Sequence, residues 1–117
     1  MKAKQIFHEL IYYTLLISTP PTVKTADVER QITSGKWTYD VEIAMEVRGK
    51  VEEISSMKVI SDETQERTFE CEVMLALEFE PWEPLNPSHY SRSDTLDTFS
   101  ASVDLPEGWE IFETSRG

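Results

Sequence analysis

The most regular pattern in this chain is a strict alternation of apolar and polar residues over positions 68–80. An apolar residue at every second position is typical of a β-strand that buries one face. The apolar positions are Phe69, Cys71, Val73, Leu75, Leu77 and Phe79. We therefore predict a long strand over 68–80 whose other face is polar and largely acidic.

A second alternating stretch covers positions 37–48 and predicts another strand. Its inward-facing positions are Tyr39, Val41, Ile43, Met45 and Val47. Gly49 and Lys50 then predict a turn, followed by a weaker strand over 51–61 and a polar turn at 62–67. Joined to the strand at 68–80, these elements predict an antiparallel meander.

Positions 5–18 combine two conflicting signals. Ile6, Leu10, Tyr13 and Ile17 have the spacing of one helix face. The content of Ile, Tyr and Thr instead favours a strand. Because both faces of that strand would be apolar, we favour a strand buried on both faces in the middle of a sheet, with a helix as the alternative.

Two short helices are predicted. Residues 26–34 have apolar positions on one side and are followed by Gly35, a typical helix terminator. Residues 91–97 predict a helical turn capped by Ser93 or Asp94.

Alternation returns over 99–105 and predicts a fourth strand, and a turn at 106–108 leads into a strand at 109–112. Three prolines interrupt any regular ladder over 81–87, so we predict an ordered loop or sheet edge there. The whole pattern predicts an α+β fold, mainly β: a single antiparallel sheet of four to six strands, curled or backed by one short helix.

Composition adds limits to this picture. With 117 residues, 39% of them hydrophobic, the chain is expected to form one domain over 1–117 with a packed core. The single cysteine, Cys71, excludes an intrachain disulfide and predicts a cytoplasmic protein. The longest apolar run, 10–17, is far shorter than the ~20 residues that span a bilayer, so no membrane partner is predicted.

Negative charge is concentrated in one part of the chain. Residues 62–113 contain fourteen acids and two bases, whereas residues 1–61 contain eight of each, and the net charge is −11. Such an asymmetry points to the kind of partner that the chain attracts. A free nucleic acid would be repelled, so direct nucleic-acid binding is not expected.

Seven acids are predicted to share the solvent-facing side of the two clearest strands. They are Asp40, Glu42 and Glu46 on the first strand, and Glu70, Glu72, Glu78 and Glu80 on the second. Like charges facing each other across a sheet are destabilising, so we expect either basic cross-strand partners or a use for the field. A solvated face that keeps the chain soluble is the simpler alternative.

A basic partner could be a nucleic-acid-binding protein whose DNA site this face imitates. The strand from Glu70 to Glu80 would span roughly 34 Å, a length over which duplex DNA carries about 20 phosphates. Seven carboxylates fall well short of that number. Only partial mimicry, covering a few Lys or Arg side chains, is therefore expected.

The sequence predicts no catalytic residue, metal site or cofactor. His8 and His89 are the only imidazoles, and together with one cysteine they form no zinc tetrad of known spacing. Cys71 falls on the core-facing side of its strand, so we expect a small buried hydrophobe rather than a nucleophile. Enzyme activity is not expected.

The proline-rich loop is the other candidate for recognition. Trp82 and Glu83 stand beside Leu85, His89 and Tyr90, a mixture typical of protein interfaces, although covering a sheet edge would explain it equally well.

The sequence thus predicts a non-enzymatic interaction protein that occupies a basic surface. The predicted partner-binding residues are Asp40, Glu42, Glu46, Glu70, Glu72, Glu78, Glu80, Trp82 and Glu83. The alternatives are an assembly subunit that forms homo-oligomers, and a ligand-binding or enzymatic domain with an unrecognised pocket.

Overall fold

A computed structural model describes residues 5–83 and 91–116 and shows a mainly antiparallel β structure with two helices. The elements in chain order are β1 (Phe7–Thr19), α1 (Thr25–Ser34), β2 (Trp37–Asp40), β3 (Met45–Asp62), β4 (Arg67–Pro81), α2 (Arg92–Thr98), β5 (Ser100–Val103) and β6 (Glu110–Arg116). Four strands form one sheet in the order β3-β4-β1-β6, and β2 pairs with β5 in a small second sheet. The predicted class, α+β and mainly β, is confirmed.

The N-terminal segment is a strand, as we favoured, and it lies inside the sheet between β4 and β6. The face towards the core is buried at Ile11, Tyr13, Leu15 and Ile17. The expectation of burial on both faces is wrong, because Leu10 and Tyr12 on the outward side of β1 are exposed.

Strand β4 matches its predicted alternation closely. All six of its predicted apolar positions are at most 2% exposed, and they supply much of the core. The turn predicted at 62–67 also forms, since β3 ends at Asp62 and β4 begins at Arg67, with Glu63 N–H donating to the Glu66 carbonyl at 2.8 Å.

The predicted meander is wrong in two respects. The strand expected over 37–48 is divided, because β2 ends at Asp40 and β3 begins only at Met45. Gly49 is not in a turn but inside β3, where a Cβ atom would lie 2.4 Å from Leu77 Cδ2 and 2.9 Å from the Ala76 carbonyl. Glycine here permits a close approach of strands rather than a reversal of the chain.

Strand β3 contains three extra residues relative to β4. Its register shifts between Val51 and Glu53, between Ile54 and Ser56, and between Val59 and Ser61. Each shift marks a β-bulge, in which one residue of β3 has no opposite residue on β4. Fifteen of the eighteen residues of β3 therefore pair with the fifteen residues of β4.

The second layer packs on one face of the large sheet. Helix α1 buries Val28 and Ile32, as its apolar spacing predicted, and ends where Gly35 N–H donates to the Gln31 carbonyl at 2.8 Å. Helix α2 forms as predicted, but its cap is neither Ser93 nor Asp94. Ser91 Oγ accepts the hydrogen bond of Asp94 N–H at 3.2 Å and so caps the helix.

Aromatic rings join the two layers. The Phe99 ring lies 5.8 Å from the Phe79 ring of β4, measured between centroids, and 6.1 Å from both Tyr13 and Tyr39. Phe99 directly precedes β5, which is shorter than the predicted fourth strand and pairs with β2 instead of the large sheet. The fourth strand of the large sheet is β6, which follows the predicted turn at 106–108.

Within the described part of the chain, neither helix is long and apolar enough to cross a membrane. Most of the predicted proline-rich loop, including Leu85, His89 and Tyr90, lies outside the described residues.

Candidate functional site

The side of the large sheet opposite the core is the candidate site, and we call it the outer face. Strand pairing defines it, because residues that pair across neighbouring strands share a face. The outer-face residues are Glu46, Arg48, Lys50, Glu53, Ser56, Lys58 and Ser61 on β3; Thr68, Glu70, Glu72, Met74, Ala76, Glu78 and Glu80 on β4; His8, Leu10, Tyr12, Thr14, Leu16 and Ser18 on β1; and Glu110, Glu113 and Ser115 on β6.

The structure brings five of the seven predicted strand acids together on this face. The four glutamates of β4 project from it, and Glu46 on β3 lies opposite Glu80. Asp40 and Glu42 are not there: Asp40 ends β2 in the small sheet, and Glu42 lies in the irregular segment before β3. Both are exposed, but the break after β2 separates them from the outer face.

Arg48 organises one end of the outer face. Its guanidinium nitrogens lie 2.9 Å from Glu80, 3.0 Å from Glu46 and 3.6 Å from Glu78. The hydrogen bond to Glu80 and the negative charges of Glu46 and Glu80 raise the pKa of Arg48. We call these four residues the Arg48 cluster; with three carboxylates and one guanidinium, it keeps a net negative charge.

The other end of the face is less neutralised. Lys58 Nζ lies 3.3 Å from a Glu70 carboxylate oxygen. Glu72 stands between Ser56 and Thr14, and it has no ion-pair partner among residues 5–83 and 91–116.

In total the outer face carries eight acids and three bases. The acids are Glu46, Glu53, Glu70, Glu72, Glu78, Glu80, Glu110 and Glu113, and the bases are Arg48, Lys50 and Lys58. Since Arg48 and Lys58 are already engaged with glutamates of the same face, the excess of negative charge is left for solvent or for a partner.

Between the two charged ends lies an apolar belt that the sequence did not predict. It consists of Leu10 and Tyr12 on β1 and Ala76 and Met74, which pair with them on β4. Leu10 is 53% exposed and Tyr12 is 51% exposed. The alternation of β4 had placed Met74 and Ala76 opposite the core, but only the pairing register shows that they adjoin exposed side chains of β1.

A hollow of about 450 Å³ opens beside this belt. Three consecutive residues from each of three adjacent strands line it: His8, Glu9 and Leu10; Arg48, Gly49 and Lys50; and Ala76, Leu77 and Glu78. Ala76 contributes only a methyl group between the longer side chains of Lys50 and Leu10, which explains the depression at this point.

Trp82 and Glu83 follow directly after β4. The Trp82 side chain is 73% exposed. The backbone N–H of Trp82 donates to the Ala44 carbonyl at 3.1 Å, which continues the β3–β4 pairing by one step. Trp82 is therefore attached at the end of the sheet that holds Glu46 and Glu80.

Cys71 is completely buried, as its place in the alternation predicted. Burial raises the pKa of its thiol to about 12, and the charges of Glu29 and Glu72 act in the same direction. The thiol is therefore protonated at neutral pH and is a poor nucleophile. In the described residues, no three His, Cys, Asp or Glu side chains are grouped so that they could hold a metal ion.

Comparison with protein families, with curated protein sequences and with solved structures finds no match for this chain.

Changing Arg48 to Gln tests the electrostatics of the Arg48 cluster. We expect a lower melting temperature at low salt, because three carboxylates then face each other without their common cation. Salt screens exposed charges, so about half of this loss or more should disappear between 20 and 500 mM NaCl. The measurement is thermal unfolding followed by circular dichroism.

Arg30 supplies the matched control, since its one ion-pair partner within 5–83 and 91–116 is Asp27, at 3.3 Å, and its side chain is mostly exposed. Arg30→Gln should change the melting temperature little at either salt concentration. An Arg48→Gln variant with a salt response equal to that of Arg30→Gln would contradict the role of the cluster.

Proposed function

We propose that this protein is a non-enzymatic interaction module that binds a basic surface of another protein through its outer face and Trp82. The observation that carries the proposal is the excess of eight acids over three bases on that face, with two of the bases already held by its own glutamates. Charge complementarity of this kind speeds association and selects the partner.

The apolar belt supports a protein as the partner. Protein interfaces combine an apolar centre with a polar rim, and Leu10 and Tyr12 lie between two acidic groups in that arrangement. Exposed tryptophans are frequent hot spots of binding energy, and Trp82 adjoins one of the acidic groups.

A nucleic-acid-binding protein is one class of basic partner, and the acids could then partly replace phosphates. The belt interrupts the acids, however, whereas a phosphate backbone is uniformly charged. A basic protein surface with its own apolar patch therefore fits the outer face better than a surface shaped only for a duplex. The single buried thiol suits a reducing compartment, so we place the interaction in the cytoplasm.

Capture of binding proteins at about 50 and 500 mM NaCl tests the proposal, with the captured protein identified and its affinity then measured. The test variant combines Glu53→Lys, Glu72→Lys and Glu113→Lys, three exposed outer-face acids. We expect capture at low salt only, and an affinity at least tenfold weaker for the variant, because its charges now repel a basic partner.

The matched control changes the same number of charges elsewhere. The control variant combines Glu63→Lys, Glu66→Lys and Glu107→Lys. The three acids that it replaces lie in exposed turns away from the outer face. If the control loses as much affinity as the test variant, net charge alone acts, and the outer face is not the site. Capture that ignores salt also contradicts the proposal.

Assembly into a homo-oligomer is a second candidate, favoured by strand β6. This short strand forms one edge of the large sheet among the described residues, and Phe112 on it is 51% exposed. Sedimentation at several concentrations distinguishes the two functions. An assembly subunit would associate more at higher concentration, lose association on Phe112→Ser and tolerate the outer-face triple variant.

A further inference from the structure

The hollow beside the apolar belt has the properties of a specific binding site. Its volume of about 450 Å³ lies within the range of ~300–1,000 Å³ that is usual for ligand sites. Leu10 and the Ala76 methyl form its apolar part, and the aliphatic stem of Lys50 extends beside them. Such a surface accepts a large apolar group and offers it few hydrogen bonds.

Acids lie on both sides of this hollow along the strand direction. Glu78 lines it and belongs to the Arg48 cluster. In the other direction along β4, Glu72 is four residues from Ala76, roughly 14 Å at the rise of a strand. On the neighbouring strand β3, Glu53 pairs with Met74, the outer-face residue between Glu72 and Ala76.

We propose that the hollow takes the apolar anchor side chain of a basic polypeptide segment, in which Lys or Arg residues stand two to four positions from a residue of leucine or phenylalanine size. This inference rests on the proposed function and adds the identity of the recognised segment. An extended segment along the face would place its anchor against Leu10 and Ala76, and its basic side chains against Glu78 on one side and Glu53 and Glu72 on the other.

The charge on the face selects this occupant over a second copy of the chain. Each outer face has eight acids and three bases, so two copies brought face to face would oppose two surfaces of the same negative net charge, which disfavours a complex. An uncharged apolar ligand would use the hollow but leave Glu53 and Glu72, which have no ion-pair partner among the described residues, without a counter-charge. A basic segment with an apolar anchor fills the hollow and also supplies positive charge to the glutamates beside it.

Three nine-residue peptides test the inference by titration calorimetry and by amide shifts in NMR spectra of the full chain. The first has a central leucine flanked by Lys and Arg, the second replaces that leucine with serine, and the third keeps it but replaces every base with serine. We expect the first to bind in 50 mM NaCl and to shift the amides of Leu10, Lys50 and Ala76. The second should bind about tenfold more weakly, because burial of a leucine side chain is lost.

Leu10→Ser should weaken the binding of the basic leucine peptide about tenfold and leave the binding of the basic serine peptide unchanged. Its matched control is Ile60→Ser, since Ile60 is an apolar residue of similar exposure, 48%, near the far end of β3. Circular dichroism checks that both variants remain folded, which their exposure favours.

Each other result overturns the inference in a distinct way. One such result is that both basic peptides bind equally well and that the triple Lys variant at Glu53, Glu72 and Glu113 no longer binds either peptide. The acidic face would then bind basic segments without an anchor, and the proposed function stands. If the uncharged leucine peptide binds as tightly as the basic one, the hollow is a neutral ligand site. If no basic peptide binds, the anchor is rejected, and the capture experiment then judges the proposed function separately.

Discussion

Replacing Phe79 with alanine is expected to lower the free energy of unfolding by about 3–5 kcal/mol, the usual cost of removing a buried phenylalanine. Phe79 has no exposed surface and packs edge to face against Phe99. It joins the large sheet to the layer that contains β5, so its loss leaves a cavity between two layers. Since domains of this size are stable by only ~5–15 kcal/mol, a large part of the stability would disappear.

Urea unfolding followed by tryptophan fluorescence measures this effect. Phe79→Leu keeps most of the buried volume and should cost clearly less than Phe79→Ala. Phe112→Ala removes the same group from a side chain that is 51% exposed, so we expect a loss below about 1 kcal/mol. A similar loss for Phe79→Ala and Phe112→Ala would show that the two layers are not joined through Phe79.

The second large effect is a loss of stability at high pH that depends on Cys71. The pKa of this thiol is about 12 in the folded chain, raised from 9.0 by burial. Between these two values the unfolded chain releases the proton while the folded chain keeps it, so stability falls as the pH rises. At pH 11 this contribution is on the order of 2–3 kcal/mol, at ~1.4 kcal/mol for each pH unit above 9.

A comparison with Cys71→Ala isolates this effect. Burial also raises the pKa of Tyr13 and Tyr39, and these tyrosines remain in both proteins. The free energy of unfolding, measured by urea at pH 8 and pH 11, should therefore fall by about 2–3 kcal/mol more in the natural chain than in the variant. Equal falls in the two proteins would show that the thiol ionises as readily when folded as when unfolded.

The sequence revealed β4 because one face of that strand is buried along its whole length, which keeps apolar and polar residues in strict alternation. Strand β3 gave a weaker signal for a physical reason. Each bulge inserts one residue and reverses the order of inward and outward positions, so Val51, Ile54 and Met57 all pair with core residues of β4 although they are three residues apart instead of two. Periodicity could not show that this was one strand, and Gly49 then suggested a turn that does not exist.

The candidate site was predictable to a similar extent. Alternation placed Glu70, Glu72, Glu78 and Glu80 on one face because that inference needs only their own strand. The three carboxylate contacts of Arg48 and the belt beside Leu10 depend on which strand lies next to which, and in what register. Asp40 and Glu42 were misplaced because nothing in the alternation marks the break between β2 and β3.

The bulges of β3 also limit how copies of this chain could add to each other. A sheet grows into a fibre only if both of its edges can pair with further chains. Beyond Val51, the irregular edge of β3 offers no straight row of hydrogen-bonding groups. Strand β6 could pair once with another β6, but that contact is closed by its own symmetry and leaves two β3 edges outside, which are bulged over most of their length. Concentrated solutions of this chain should therefore contain pairs at most along this direction, and not filaments.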